Sequence, residues 1–353
     1  MIELLEPVAE KCDLTIPRAH RKPIAHVGAG KIVAGAHLPA YRRAGLEIAG
    51  VFDKDVERAR TFARDHEIPK AYATLDELCR DARVEVVDIA VPPWEQPEIV
   101  RALLDAGKHV LCQKPLALDS ATAVSMAEHA EKRGRKLAVN QQMRWDEGIA
   151  ASRAMLQLGW IGEPLYLEML VDIFIDWTPW MSPRQQVQLW YHAIHELDAI
   201  RSMLGDPQKV WCTGAKRPGQ KPAGETRVLV TLIYPGELRA NVHVNSEQLG
   251  DPSATFRIDE TGGTIRGKLE RFYGEGAPDT LAVNSRVLPS DGWLQYPCTK
   301  RWFIDAFIGP MRSLLSAIST GGEAFTSGRD NVKTIRLIEA LYRSIASGNA
   351  EVP

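Results

Sequence analysis

From Ile24 to Gln142 the chain alternates short, nearly continuous apolar runs with stretches of helical period, and this alternation limits the fold more than any single residue does. The run at Ile24 to Val27 enters GAGKIV, a helical stretch extends to about Arg43, and a second run, EIAGVFD, ends on Asp53. DVERARTFARDHE reads as an amphipathic helix with Asp55 near its start. In TLDELCRDA, Thr74 stands three residues before Glu77, a capping box. The valine-rich run VEVVDIAV has the pattern of a parallel strand covered on both faces. The theme continues with a helix through IVRALLDAG, the strand HVLCQ, a helix from Ser120 to about Arg133 and the strand KLAVNQQ. Strands separated by helices of this length predict an α/β, doubly wound parallel sheet.

Beyond about Met143 the pattern changes. A helix through Ile149 to Leu158 leads to LYLEMLVDIF, a tryptophan-rich loop and a helix from about Leu189 to Leu204. The later strands carry turn pairs at Pro235-Gly236 and Gly262-Gly263, so a large, mostly antiparallel open sheet in a C-terminal α+β domain is expected. The domain reading is an arm at 1–22, the parallel-sheet domain at 23–142, the second domain at 143–300 and C-terminal helices at 301–353, with a break at Gly321-Gly322.

The chain has 353 residues, enough for about two domains, and its 45% hydrophobic and 25% charged residues are ordinary for a globular protein. A net charge of -2 argues against a nucleic-acid partner. The scattered cysteines form no Cys-x-x-Cys pair, and the acidic, proline-bearing N-terminus does not read as a signal peptide. No apolar run is long enough to span a membrane, so a cytoplasmic, soluble protein without membrane partners is expected.

Gly28-Ala29-Gly30 lies between a strand and a helix. The first glycine permits the tight turn, the second lets backbone approach a pyrophosphate, and the helix N-terminus offers free N–H groups. Val33 stands where a third small residue is usual. Asp53 can accept hydrogen bonds from an adenosine ribose and would repel a 2′-phosphate, which favours NAD over NADP; the other reading of Asp53 is a plain turn residue, and Lys54 beside it keeps NADP open.

GAGKIVAGAHLPAY at 28–41, KHVLCQKPLAL at 108–118 and HELDAIRSMLGDP at 195–207 together resemble the Gfo/Idh/MocA oxidoreductases, over nearly the whole chain beyond residue 22. The resemblance implies a Rossmann dinucleotide-binding domain at 23–142 and a substrate and oligomerisation domain at 143–300, with the 301–353 helices packing back between the domains. It also implies a substrate cleft between the domains, hydride transfer from a sugar or polyol hydroxyl to NAD(P), and a homo-oligomer, dimer or tetramer. The family's Glu-Lys-Pro motif reads Gln113-Lys114-Pro115 here, with a neutral amide in place of the acid. Its lysine is implied to lie beside the nicotinamide and the reacting hydroxyl. A second departure is Gln96, where relatives often carry histidine.

The cofactor-facing candidates are therefore Gly28, Gly30, Lys31, Ile32, Asp53, Pro92, Gln113 and Lys114. On the 189–204 helix, Tyr191, His195 and Asp198 fall on one face. His195 matches the family's histidine near the substrate hydroxyl and is read as base or relay, Lys114 as the hydroxyl-orienting group, and Tyr191, where some relatives have aspartate, as a weaker catalytic candidate. Substrate candidates are Lys114, Arg144, Trp145, Trp177, His192 and His195, with Trp180, Trp190 and Arg184 as lesser ones. The tryptophans suit the apolar face of a sugar or, equally, a structural anchor; Arg144 suits an acidic sugar or a structural ion pair. His192 and His195 lack the spacing and third ligand of a metal site, so no metal is expected. Two other functions remain open: bond cleavage through transient oxidation by retained NAD, and a non-catalytic nucleotide-sensing regulator.

Overall fold

The structure, a computed structural model, describes residues 2–270, 277–289 and 292–353. The chain divides into two compact units: residues 14–142 with 304–335, and residues up to 13 with 143–303 and 336–353.

Helix α1 (Ile2–Lys11) forms where the sequence suggested only an arm. It packs on a helix of the second unit, and it groups with that unit. In the nucleotide unit β1 (Ile24–Val27), β2 (Ile48–Phe52), β3 (Ala71–Tyr72), β4 (Val86–Ile89), β5 (His109–Gln113) and β6 (Leu137–Asn140) pair in parallel in the order β3-β2-β1-β4-β5-β6. This is the doubly wound order whose ligand crevice lies at the carboxyl ends of the strands. Both faces are covered, so β1 and β4 are buried at every position. The connecting helices are α2 (Leu38–Arg43), α3 (Val56–Asp65), α4 (Leu75–Arg80), α5 (Gln96–Asp105) and α6 (Ser120–Lys132). Three of these starts are set by side chains that satisfy free N–H groups: Asp55 accepts from Arg58 N, Thr74 from Glu77 N and Asp119 from Thr122 N. Glu77 completes its box by accepting from Ala73 N at 2.9 Å.

The helical stretch after the glycine turn is not a uniform α-helix. Val33–His37 form a π turn before α2 begins. Val33, the bulky residue at the third glycine position, is fully buried at the start of this wider turn, and His37 is at its end.

The second unit holds α7 (Glu147–Gln157), β7 (Pro164–Asp172), α8 (Ile194–Leu204), β8 (Lys209–Ala215), β9 (Arg227–Ile233), β10 (Arg239–Asn245), β11 (Ser253–Glu260), β12 (Gly263–Lys268), β13 (Thr280–Ser285) and β14 (Leu294–Tyr296). Its strands order as β14-β13-β12-β11-β7-β10-β9-β8, antiparallel throughout except for β7 with β10. The hairpins at Pro235-Gly236 and Gly262-Gly263 form as expected. The end of the strand reading at Arg271 and Phe272 lies outside the described residues. One face of the sheet is core, with Leu167, Met169, Val230, Val242, Phe256 and Ile258 buried, and the other is partly exposed.

The C-terminal segment divides between the units. Helix α9 (Ile308–Thr320) packs on β5 and β6, and Thr326 O accepts from Val139 N at 2.8 Å, so 304–335 complete the nucleotide unit. Helix α9 ends at Gly321 in the left-handed region, the expected break. Helix α10 (Gly328–Ser347) begins in that unit and ends in the other.

Glu260 points to the core side of β11, only 8% exposed, and neither of its carboxylate oxygens has a hydrogen-bond partner among the described residues. Burial, with Glu163 adding repulsion, pushes its carboxyl up to about 7. The folded value is above the ordinary 4.5, so this group's contribution to stability is complete below pH 4.5 and is lost as pH rises through about 7. Glu260→Gln is expected to flatten stability over that window and to raise it at pH 8 by on the order of 1 kcal/mol, solvent screening included. Urea unfolding at pH 5 and pH 8 reads this directly; equal pH dependence in both proteins contradicts it.

Candidate active site

In the nucleotide unit the glycine turn and the acid at the end of β2 are bound to each other. Phe52 O accepts from Gly28 N at 2.8 Å, and Asp53 Oδ2 accepts from Ala29 N at 2.9 Å. Asp53 Oδ1 accepts from Asp55 N at 2.9 Å, and Arg58 Nη1 lies 3.5 Å away. An ionised carboxylate offers about four acceptor positions, so capacity remains for ribose hydroxyls after two backbone bonds. Gly28 has φ +103°, and a Cβ there would stand 2.5 Å from Ala90 O; only glycine makes this turn. A Cβ on Gly30 would meet nothing within 4 Å, which leaves the open approach that a pyrophosphate needs above the turn. The residues present therefore fit a dinucleotide. Lys54 is turned to Glu95, with Nζ 2.7 Å from Oε1.

Lys114 follows β5, half-buried. Its backbone N–H donates to Gln113 Oε1 at 2.7 Å, and the next carbonyl, Pro115 O, accepts from Gln96 Nε2 at 2.8 Å. The Lys114–Pro115 peptide is cis. Gln96 is fully buried and braces the lysine segment from α5.

Sequence reasoning missed the group beneath Gln113. Its Nε2 is 3.0 Å from His37 Nε2, and Asn140 Nδ2 is 3.2 Å from the same nitrogen. His37 Nδ1 stands 2.6 Å from Asp88 Oδ2, which also takes His26 Nδ1 at 3.1 Å. His26, His37, Asp88 and Asn140 are all fully buried. Burial opposes charge on Asp88, but the hydrogen bonds it accepts from the His37 and His26 rings hold the carboxyl well below the usual range. A polar residue inside the valine-rich run, Asp88, was the available signal: a lone acid in a parallel strand covered on both faces needs a buried partner.

In the second unit a π turn at Leu189–Ala193 precedes α8. The sequence suggested a helix with one polar face, whereas nearly every residue from Leu189 to Arg201 is buried. Glu225 fixes the start of this segment, accepting from Val187 N at 3.3 Å, Gln188 N at 3.1 Å and Tyr342 Oη at 2.7 Å. Tyr342 in turn stacks on Trp190. His195 is 6% exposed and meets Trp302 edge-on at 5.5 Å. Burial pushes the Tyr191 phenol up, with Arg184 opposing, so near neutral pH it is a protonated donor rather than a phenolate base. Trp180 meets Tyr191 edge-on at 5.2 Å. Trp177, fully buried with no hydrogen-bond partner for its Nε1 among the described residues, packs at 4.7 Å against His192, which is half-buried.

Arg144 is not turned to solvent. Its Nε and Nη2 donate to Asp198 Oδ2 and Oδ1 at 2.6 and 2.8 Å, with both side chains almost wholly buried. The pair ties the segment before α7 to the helix that carries His195, the structural alternative among the two readings of Arg144. Trp145 beside it is 9% exposed. Among the described residues no three His, Cys, Asp or Glu side chains gather as metal ligands, and no helix is long and apolar enough to cross a membrane.

Two family models match the chain: the oxidoreductase family with NAD-binding Rossmann fold over residues 22–141, and the GFO/IDH/MocA C-terminal domain over residues 149–266. The chain belongs to the GFO/IDH/MocA oxidoreductase family. It is 27% identical over 321 residues to a D-apiose dehydrogenase of Paraburkholderia graminis, covering 88% of this chain and 84% of that one. It is 24% identical to a 1,5-anhydro-D-fructose reductase of Ensifer adhaerens, over 92% of this chain and 96% of the relative. Among solved structures it is similar to an oxidoreductase from Agrobacterium radiobacter in complex with NAD+, L-tartaric acid and magnesium, with TM-score 0.82, 26% identity, and 94% and 98% of the two chains covered.

Arg144→Ala would leave Asp198 buried without its two-pronged partner, with Arg201 3.7 Å away and the charge of Arg153 compensating it in part. A loss of about 3 kcal/mol in unfolding free energy is expected, the low end for breaking a buried pair. Chemical denaturation measures it, and a variant as stable as the parent contradicts the structural role.

Proposed function

We propose that this protein is a dehydrogenase that oxidises a hydroxyl group of a sugar, polyol or related carbohydrate, with NAD preferred over NADP. The observation that carries the reading is the pairing of two features at the carboxyl ends of the parallel strands: Asp53 bound to the glycine turn, and Lys114 held by its neighbours after β5. Similarity to proteins named D-apiose dehydrogenase supports a sugar as substrate.

When bound, the dinucleotide supplies a nicotinamide ring that accepts hydride from carbon. The rest falls to the chain's own residues. The backbone of Gly28, Gly30, Lys31 and Ile32 presents N–H groups to the pyrophosphate, and Asp53 accepts from the ribose. Pro92, after β4, and Gln113 line the path to the ring. Lys114 Nζ donates to the substrate oxygen and orients it. His195 takes the hydroxyl proton or passes it on, a task an imidazole performs near neutral pH. Tyr191, a neutral phenol, serves as a donor to the substrate. Trp145, Trp177 and His192 form the wall behind it, while Arg144, engaged by Asp198, acts through the position of α8. The partly exposed outer face of the eight-stranded sheet, with Leu170, Leu229 and Trp211 on it, supports assembly as a homo-oligomer, dimer or tetramer.

Screening sugars and polyols with NAD and NADP by absorbance of the reduced cofactor tests the reading. Lys114→Ala and His195→Ala are each expected to lower kcat by at least about 100-fold, the usual contribution of a positioned acid or base. Parent-like turnover in both variants removes the assignment. Asp53→Ala is expected to weaken NAD binding by about tenfold or more, since hydrogen bonds to a charged group contribute about 1.5–3 kcal/mol; unchanged NAD affinity by calorimetry defeats the ribose contact.

A further inference from the structure

We infer that His37 is a positioning residue for Lys114, held as the neutral Nδ1–H tautomer and matched to an amide, not an acid, at position 113. The hydrogen-bond directions leave one consistent arrangement. The Lys114 N–H needs an acceptor, and the Gln113 oxygen at 2.7 Å is that acceptor. The amide nitrogen of Gln113 then faces His37 Nε2 at 3.0 Å, and an NH2 group can only donate. His37 Nε2 must therefore carry a lone pair, and its proton is on Nδ1, pointed at Asp88 Oδ2 at 2.6 Å. Asn140 Nδ2, at 3.2 Å, is a second donor toward the same lone pair. One polarised chain thus runs from a fully buried carboxylate through a neutral imidazole and an amide to the backbone of the lysine.

The environment of His37 is dry and built from several elements. On β4 it faces Asp88, on β1 His26, on α2 Tyr41 in edge contact at 6.0 Å, and on β6 Asn140, while Phe307 covers its ring at 5.3 Å. Burial and Asp88 push the Tyr41 phenol and the Cys112 thiol far up, so neither ionises near neutrality. Lys114, one residue from Gln113, joins the cluster through its backbone N–H. A carboxylate at 113 would set a negative oxygen against the Nε2 lone pair. With the Nδ1 proton kept on Asp88, it could bond His37 only through one further proton, as an imidazolium between two carboxylates. The neutral amide removes that proton requirement, so the geometry behind Lys114 does not change with pH.

The effect on turnover rests on the role proposed for Lys114; the tautomer does not. The test is nitrogen-15 NMR of histidine-labelled protein, wild type and Gln113→Glu, between pH 6 and 9, with amide hydrogen exchange at Lys114. Wild-type His37 is expected to show a single protonated nitrogen, Nδ1, throughout. In Gln113→Glu it is expected to become doubly protonated at low pH, and above the pH where that proton leaves, the Lys114 amide exchanges at least ten times faster than in wild type. The kcat profile of the variant gains the same ionisation. A doubly protonated or Nε2–H His37 in the wild type overturns the inference even if the variant fails to fold. Lys114 exchange independent of pH in Gln113→Glu overturns the positioning role. If no alcohol is turned over while both resonance results hold, the proposed reaction fails and this inference stands.

Discussion

A single buried carboxylate governs the layout of the nucleotide unit. Asp88 sits in the middle of β4, a strand covered on both faces, and ionised carboxylates do not survive there without partners. Its partners, His26 from β1 and His37 from the π turn, fix how the strand, the turn and the helix start come together. From His37 the same chain of donors reaches β5 and β6. The residues that look toward the proposed chemistry are thus braced by a charge one layer below them, and Gln96 braces the Pro115 carbonyl from α5.

Each unit places a π turn beside a residue to which chemistry is assigned. Val33–His37 ends on the imidazole behind Lys114, and Leu189–Ala193 leads into the turn that carries His195. A π turn adds one residue to the helical repeat and re-aims the side chains beyond it, and such turns recur at functional positions. The second unit also supports its histidine with buried polar groups, Glu225 at the start of the segment and the Arg144–Asp198 pair further along. Placing charge inside a core costs stability, and here it fixes the direction of a helix that is buried on nearly all sides.

Much of this is legible in the chain itself. The alternation of apolar runs with helices points to the parallel sheet, the capping residues Asp55 and Thr74 mark helix starts, and the paired turn residues mark the hairpins, because each of these depends on local chemistry. The two-residue strand β3 is too short to carry a period. The π turns are invisible because their residues, Val33–His37 and Leu189–Ala193, also suit an ordinary helix. Helix α1 reads as an arm because its proline and its contacts with distant residues hide the pattern. Within the candidate site, spacing and family likeness find the glycine turn, Asp53 and Lys114. They do not find His37, Asp88, Asn140 and Glu225, since partners lie 51, 103 and 117 residues apart along the chain and only the fold brings them together.

The most direct test of the central claim, that this unit holds a nicotinamide dinucleotide with its reactive end at Lys114, is a crystal structure of the protein grown with NAD. The expected result is pyrophosphate over Gly28 to Ile32, adenosine ribose hydroxyls on Asp53, and the nicotinamide beside Gln113 and Lys114. A dinucleotide that fails to bind, or one whose ring lies away from Lys114, contradicts the claim.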